Sequence, residues 1–306
     1  MPNLTGKVCL VTGASKGIGR GIALQLISCG ATCYITGRDL TTLQDVKGET
    51  EERGSSGKCV PVQCDHSNEE NTKKVFKKIA SEQNGQLDLL VNNAYAAVSH
   101  VFGKSDVNFW DQDIAAWDLV NNVGLRNHYI CSVYAARMMV PKRKGLIVNI
   151  SSVGGKLFLF MPPYGIGKAA NDRMAKDCAV ELEKYNIAFV SLWPGMVQTE
   201  FITEFTESGD LGLRNAMKTE CKRIKNSSET TEFPGKGIAH MLADKTILKK
   251  TGQILLTTDL ADEYNFKDVN DKTIMKKTGQ ILLTTDLQMN TISKMSMEIL
   301  QSVGEV

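Results

Sequence analysis

From residue 8 to residue 192 one pattern repeats: a short, unbroken apolar run, then a longer stretch with helical periodicity. Val8-Cys9-Leu10-Val11 opens it and leads into a helix from about Ile18 to Cys29. Thr32-Cys33-Tyr34-Ile35-Thr36 precedes a helix beginning at Leu40, and Cys59-Val60-Pro61-Val62 precedes a lysine-rich helix over 71–82. Leu87-Asp88-Leu89-Leu90-Val91 and Gly145-Leu146-Ile147-Val148-Asn149-Ile150 flank a long helical stretch over 117–140, and the run 187–192 closes the series. Strands with one face in water alternate polar and apolar residues. These runs do not, so both of their faces must be covered. Neighbouring parallel strands need long crossovers, which the helical stretches supply. The pattern predicts an α/β fold: one domain with a doubly wound parallel sheet of about seven strands and helices on both faces. In 306 residues such a domain has room over 1–260, leaving 261–306 as a C-terminal extension.

Val11-Thr12-Gly13-Ala14-Ser15-Lys16-Gly17-Ile18-Gly19 joins the first strand to the first helix. Gly13 permits the turn, Gly17 lets backbone approach a pyrophosphate, and Gly19 lets the helix pack closely on the strand. N–H groups from Ser15 to Ile18, at the helix start, favour an anion. The turn reads as a dinucleotide site and the sheet as Rossmann-type. At the end of the second strand an acid would grip the ribose of NAD, whereas an arginine accommodates the 2′-phosphate of NADP. Arg38 stands there, and Lys16 adds a second positive charge. Guanidinium geometry matches phosphate. Asp39, just before the next helix, reads as its N-cap. NADP(H) is therefore favoured over NAD(H).

Downstream of Ser151 and Ser152, Tyr164 and Lys168 lie four residues apart, about one helical turn, so both project from one face. A phenol beside a fixed ammonium ionises more easily. That suits proton transfer to or from a carbonyl oxygen near neutral pH.

With these pieces assembled, the chain resembles the short-chain dehydrogenase/reductase family over roughly residues 5–260. The motifs are Thr12–Gly19, Asp65, Asn92-Asn93-Ala94, Asn121, the Ser151/Ser152 pair, Tyr164 with Lys168, and Pro194-Gly195-Met196-Val197-Gln198-Thr199. The resemblance implies a Ser–Tyr–Lys–Asn tetrad. Tyr164 would donate the proton, and Lys168 would lower the tyrosine pKa and bind the nicotinamide ribose. Asn121 would hold a relay water, or merely bend its helix. Asp65 would meet the adenine and Asn92 would line the cofactor cleft. Pro194, Val197 and Thr199 would face the nicotinamide, with an N-cap as the bland role of Thr199. Order within the pair favours Ser152 as the catalytic serine, whereas spacing to the tyrosine favours Ser151. Two departures stand out: Tyr95 where the family has glycine, and Gly167 where it has serine. The family also places 156–163 beside the substrate, so Leu157, Phe158, Phe160 and Met161, with Tyr95, are expected to line the pocket. An apolar lining suits a hydrophobic ketone or aldehyde of steroid-, prostanoid- or xenobiotic-like character. The expected activity is an NAD(P)H-dependent carbonyl reductase or alcohol dehydrogenase. The alternative is a catalytically weak, NADP-binding scaffold of the same fold. By analogy the family makes homodimers or homotetramers.

The formal charge of +2 gives no reason to expect nucleic acid or an acidic membrane as partner. Eight cysteines without a CxxC pair argue against a metal site. No apolar stretch approaches the roughly 20 residues that span a bilayer. An intracellular, cytoplasmic location fits, with room for peripheral association with the endoplasmic reticulum. Residues 196–235, rich in Gly, Ser, Thr and Glu, read as a substrate lid. The tail is unusual: 244–260 recurs at 271–287, differing only at Leu248 and Met275. The sheet has room for one such strand, so the first copy, over 253–257, is expected to enter it and the second to stay peripheral.

Overall fold

The computed structural model describes residues 1–105, 107–208 and 228–268. Seven strands form one sheet in the order β3-β2-β1-β4-β5-β6-β7, and every pairing is parallel. The strands are β1 (Val8–Val11), β2 (Thr32–Gly37), β3 (Lys58–Gln63), β4 (Leu89–Asn92), β5 (Gly145–Ile150), β6 (Ile187–Trp193) and β7 (Ile254–Leu256). Successive side chains serve opposite faces. Cys9 and Val11 pack with Ile22, Leu26 and Ile238 on one side. Val8 and Leu10 pack with Val75, Cys131 and Ala179 on the other. Both faces are thus apolar, which explains the unbroken runs. Pro61 is tolerated because β3 is an edge strand.

The helices on the first face include α1 (Gly17–Ser28) and Phe233–Ala243; those on the second are α3 (Glu69–Glu82), α6 (Asn127–Lys142) and α7 (Pro162–Leu182). The helix α2 (Leu40–Glu52) starts at Asp39, whose carboxylate caps Thr41 N–H at 2.8 Å. Two short helices, α4 (Val98–Gly103) and α5 (Ala115–Asn121), precede α6. The single helix expected over 117–140 is interrupted: α5 ends at Asn121, and a π-helical turn over Asn122–Arg126 leads into α6. A π turn inserts one extra residue, which re-aims the side chains on either side of it.

The first tail copy enters the sheet beside β6, with Ser191, Leu192 and Trp193 opposite Ile254, Leu255 and Leu256. Thr251 and Gly252 lock the approach: Phe189 N–H donates to Thr251 Oγ1 at 3.1 Å, and Gly252 N–H to Phe189 O at 2.8 Å. The second copy lies outside the described residues. Of the expected lid, α8 (Glu200–Ser208) and a strap over 228–230 are described, and 209–227 are not. The strap returns beside the loop after β6 through a parallel bridge between Val197 and Glu229. Among the described residues no helix is long and apolar enough to cross a membrane.

Candidate active site

Strand order reverses between β1 and β4, where an open α/β sheet leaves a crevice beyond its strand ends. The glycine turn leaves β1 at that point, with Gly13 and Gly17 at φ of 64° and 58°, in the left-handed region. Thr12 and Asn93 stitch the turn to the end of β4. Thr12 Oγ1 accepts from Asn93 N at 2.9 Å, and Asn93 Nδ2 donates to Thr12 O and Gly13 O, each at 2.9 Å. Asn92, expected in the cleft, is instead fully buried; its Nδ2 donates to Ser132 Oγ at 3.0 Å and Asn149 Oδ1 at 2.9 Å. Its neighbour Asn93 holds the turn, because consecutive strand residues face opposite ways.

The turn fits an anionic group. Gly17 N–H, in the first turn of α1, donates to the Glu200 carboxylate at 2.9 Å, so an anionic oxygen already rests there. Thr199 Cγ2 lies 3.4 Å from where a Cβ at Gly17 would be, and Thr199 Oγ1 also caps α8 by accepting Ile202 N–H at 3.2 Å. Ser15 packs against Gly37 at the end of β2, and Ile18 against the core. Lys16 and Arg38 are exposed at the rim. Asp65 is held below the usual carboxylate range by the Ser67 N–H and hydroxyl, with the Arg38 charge assisting.

On α7, Pro162 and Pro163 occupy the first helical positions, which need no intrahelical N–H, and Tyr164 follows. The Ser152 hydroxyl accepts Gly154 N–H at 3.1 Å and faces Tyr164 across Gly154, where a Cβ would lie 3.5 Å from Ser152 Oγ and 2.5 Å from the tyrosine ring. Ser151 turns the other way, donating to Lys168 O at 3.1 Å. Lys168 Nζ donates to Ile150 O at 3.0 Å and lies 5.8 Å from the Tyr164 ring centre and 5.2 Å from that of Tyr95. Burial raises the Tyr164 pKa, and the neighbouring Ser152 hydroxyl opposes that rise. Burial lowers Lys168 to about 8, with Asp172 opposing. Asn121 faces the start of α7, donating to Pro163 O at 3.3 Å; a Cβ at Gly167 would lie 2.2 Å from its Oδ1, so a serine there would displace it.

The extra ring of Tyr95 is seated over Gly124, where a Cβ would stand 2.5 Å from it. It meets Tyr164 edge-on at 6.3 Å. Phe160 meets the other side of Tyr164 at 5.3 Å, its own φ of 62° being unusual for a bulky residue. Phe102 joins Phe160 at 4.6 Å and Phe201 of α8 at 5.2 Å, so the wall runs from the catalytic tyrosine to the lid helix. Met161 is buried in the same cluster, whereas Phe158 is 76% exposed and Leu157 is half-buried.

The sequence alone assigns no role to Asn93, which it shows only within the Asn92-Asn93-Ala94 motif, or to Glu200, Asp172 and Glu229. Asp172 lay one turn beyond Lys168 and was visible as spacing; the others depend on contacts between distant segments.

A family model described as short chain dehydrogenase matches residues 7–209. The chain belongs to the short-chain dehydrogenase/reductase family. It is 49% identical over 267 residues to dehydrogenase/reductase SDR family member 1 of Mus musculus, covering 87% of this chain and 84% of that protein. The Homo sapiens protein of the same name matches equally, at 49% over 267 residues. A 3-oxoacyl-acyl-carrier-protein reductase of Aquifex aeolicus is 33% identical over 67% of this chain and 79% of its own. Among solved structures, a short-chain type dehydrogenase/reductase from Mycobacterium marinum aligns with a TM-score of 0.68 at 25% identity, over 83% of this chain and 94% of that one. Members of this oxidoreductase family use NAD or NADP.

Proposed function

We propose that this family member reduces apolar ketones or aldehydes with NADPH, and oxidises the corresponding alcohols in reverse. The observation that carries this reading is the meeting of the Ser152 hydroxyl and the Tyr164 ring around Gly154, where a Cβ would lie 3.5 Å from the one and 2.5 Å from the other, one helical turn from Lys168 and inside an aromatic wall. When bound, the nicotinamide supplies or accepts the hydride. Ser152 Oγ accepts Gly154 N–H, which leaves its proton for the substrate oxygen. Tyr164 gives that oxygen its proton, and the Lys168 ammonium stabilises the phenolate left behind. The bond from Nζ to Ile150 O fixes the ammonium without neutralising it. Ser151, turned onto the α7 backbone, positions the helix. Asn121 shapes the first turn of α7, beside the lysine.

NADPH is supported by the charges at the rim. Arg38 and Lys16 are positive, and Asp39, next in sequence to Arg38, is engaged as the α2 cap. Tyr95, Phe102, Phe160 and Phe201 support an apolar substrate body. Purified protein with NADPH and a panel of apolar ketones should oxidise the cofactor, and Tyr164→Phe should slow turnover by about 10²–10⁴-fold. A wild type that binds NADPH but is as inert as the variant across the panel would instead support the scaffold reading, which the added Tyr95 ring favours.

A further inference from the structure

A carboxyl group that the reading above does not use lies beneath the loop after β6. Glu229 is wholly buried. Its backbone runs beside that loop: Glu229 N–H donates to Met196 O at 2.7 Å, and its carbonyl accepts Gln198 N–H at 2.8 Å. Its side chain turns under the same loop. Oε1 accepts Gly195 N–H at 2.9 Å and also the Thr257 hydroxyl. A Cβ at residue 195 would stand 2.7 Å from Oε1, so glycine admits the carboxyl. Three segments distant in sequence therefore meet on one oxygen: the loop 194–199, the strap, and the start of the helix Thr257–Glu263.

The other oxygen, Oε2, is buried without a hydrogen-bond partner. That arrangement is costly, and an apolar side chain would fill the space with less penalty. The carboxyl is better explained by what its bonds hold in place. Val197 and Thr199 sit on the loop it grips, and Thr199 rests against Gly17 in the glycine turn.

We propose that Glu229 is a positioning residue for the nicotinamide side of the cofactor cleft, holding Gly195 to Thr199 in the shape that receives that half of the cofactor. The inference rests on the cofactor reading above. Burial pushes the Glu229 carboxyl up to about 7, opposed by the Thr257 and Gly195 donors and reinforced by the charge of Asp268. Asp268 is the charged group that faces it, itself accepting the Thr230 N–H at 2.8 Å and the Thr230 hydroxyl. An ionised carboxylate is the stronger acceptor, so its grip on Gly195 tightens as pH rises through neutrality. NADPH affinity gains a component that strengthens from about pH 6 to about pH 8.

The test compares two ligands. NADPH reaches both halves of the cleft, whereas 2′,5′-ADP fills only the adenosine half. Titration of wild type, Glu229→Gln and Thr257→Val should leave 2′,5′-ADP affinity within about twofold. NADPH affinity at the higher pH should fall roughly tenfold in Glu229→Gln and less in Thr257→Val. The pH-linked strengthening of NADPH binding should vanish in Glu229→Gln. Unchanged NADPH binding in both variants overturns the proposal, and so does a parallel loss of both ligands. Failure of the cofactor reading is separately visible, as a wild type that binds neither ligand.

Discussion

The electrostatics of the cleft converge on Lys168. Burial lowers it to about 8, and the Asp172 carboxylate, one turn further along α7, opposes that fall. Asp172 is held in place from β6 by the Ser191 hydroxyl and by Trp193 Nε1–H at 3.0 Å. Burial raises its own pKa, and the Ser191 and Trp193 bonds counter that. His128 of α6, buried and lowered to about 4, is uncharged near neutrality, while Tyr95 and Tyr164 offer only their rings to the ammonium. Removing the Asp172 charge should therefore lower Lys168 further. Reduction needs the ammonium, so Asp172→Asn should shift the alkaline limb of the kcat/KM profile to lower pH, by roughly one unit. A limb that stays in place while stability falls would make Asp172 a purely structural residue. At this scale, what sequence disclosed was what one helix fixes by itself. Tyr164 and Lys168 were legible from spacing, whereas the meaning of Asp172 depended on β6. Between Ser152 and Ser151, order within the pair and spacing to the tyrosine point to different residues, and neither says which way each side chain leaves the strand end. The structure sets Ser152 beside Tyr164 around Gly154 and turns Ser151 to the α7 backbone.

At the scale of elements, the helix α8 and the glycine turn compete for one position. Glu200 at the start of α8 supplies the carboxylate that Gly17 N–H holds at 2.9 Å. A phosphate approaching that N–H must displace it, and α8 also carries Phe201 into the aromatic wall. Cofactor entry and lid position are coupled through one side chain. Glu200→Gln retains the shape but removes the charge that favours the helix terminus, so NADPH should bind about two- to fivefold more tightly. Isothermal titration of the two proteins checks this, and weaker binding by the variant would show that Glu200 assists the cofactor rather than opposing it. The strands were the most legible elements, since burial on both faces leaves an unbroken apolar signature in the chain. The π turn between α5 and α6 left none. Its apolar residues keep a helical rhythm, and the extra residue appears only when Asn121 is set against α7.

For the whole molecule, sheet closure depends on a strand whose sequence the chain carries twice. Parallel pairing and about seven strands followed from the alternation of runs, because parallel neighbours need long crossovers; the order of the strands is seen only in the folded sheet. Which tail copy completes the sheet rests on contacts that follow the first. Tyr264 donates to Asp244 at 2.7 Å, and Phe266 meets Phe233 at a tilt at 5.3 Å and stacks with His240 at 5.3 Å. Neither aromatic has a counterpart at the same offset after the second copy, where Thr291 and Ser293 stand instead. Leu256, buried opposite Trp193 in β7, is the sharpest probe. Leu256→Ala should cost about 2–4 kcal/mol as a cavity in the sheet. The corresponding fall in Tm is about 5–10 °C, readable by calorimetry. Leu283→Ala, the same change in the second copy, should leave Tm unaltered. Equal losses from the two substitutions would mean that both copies take turns at the edge of β6, and that the register of β7 is a choice the chain makes repeatedly.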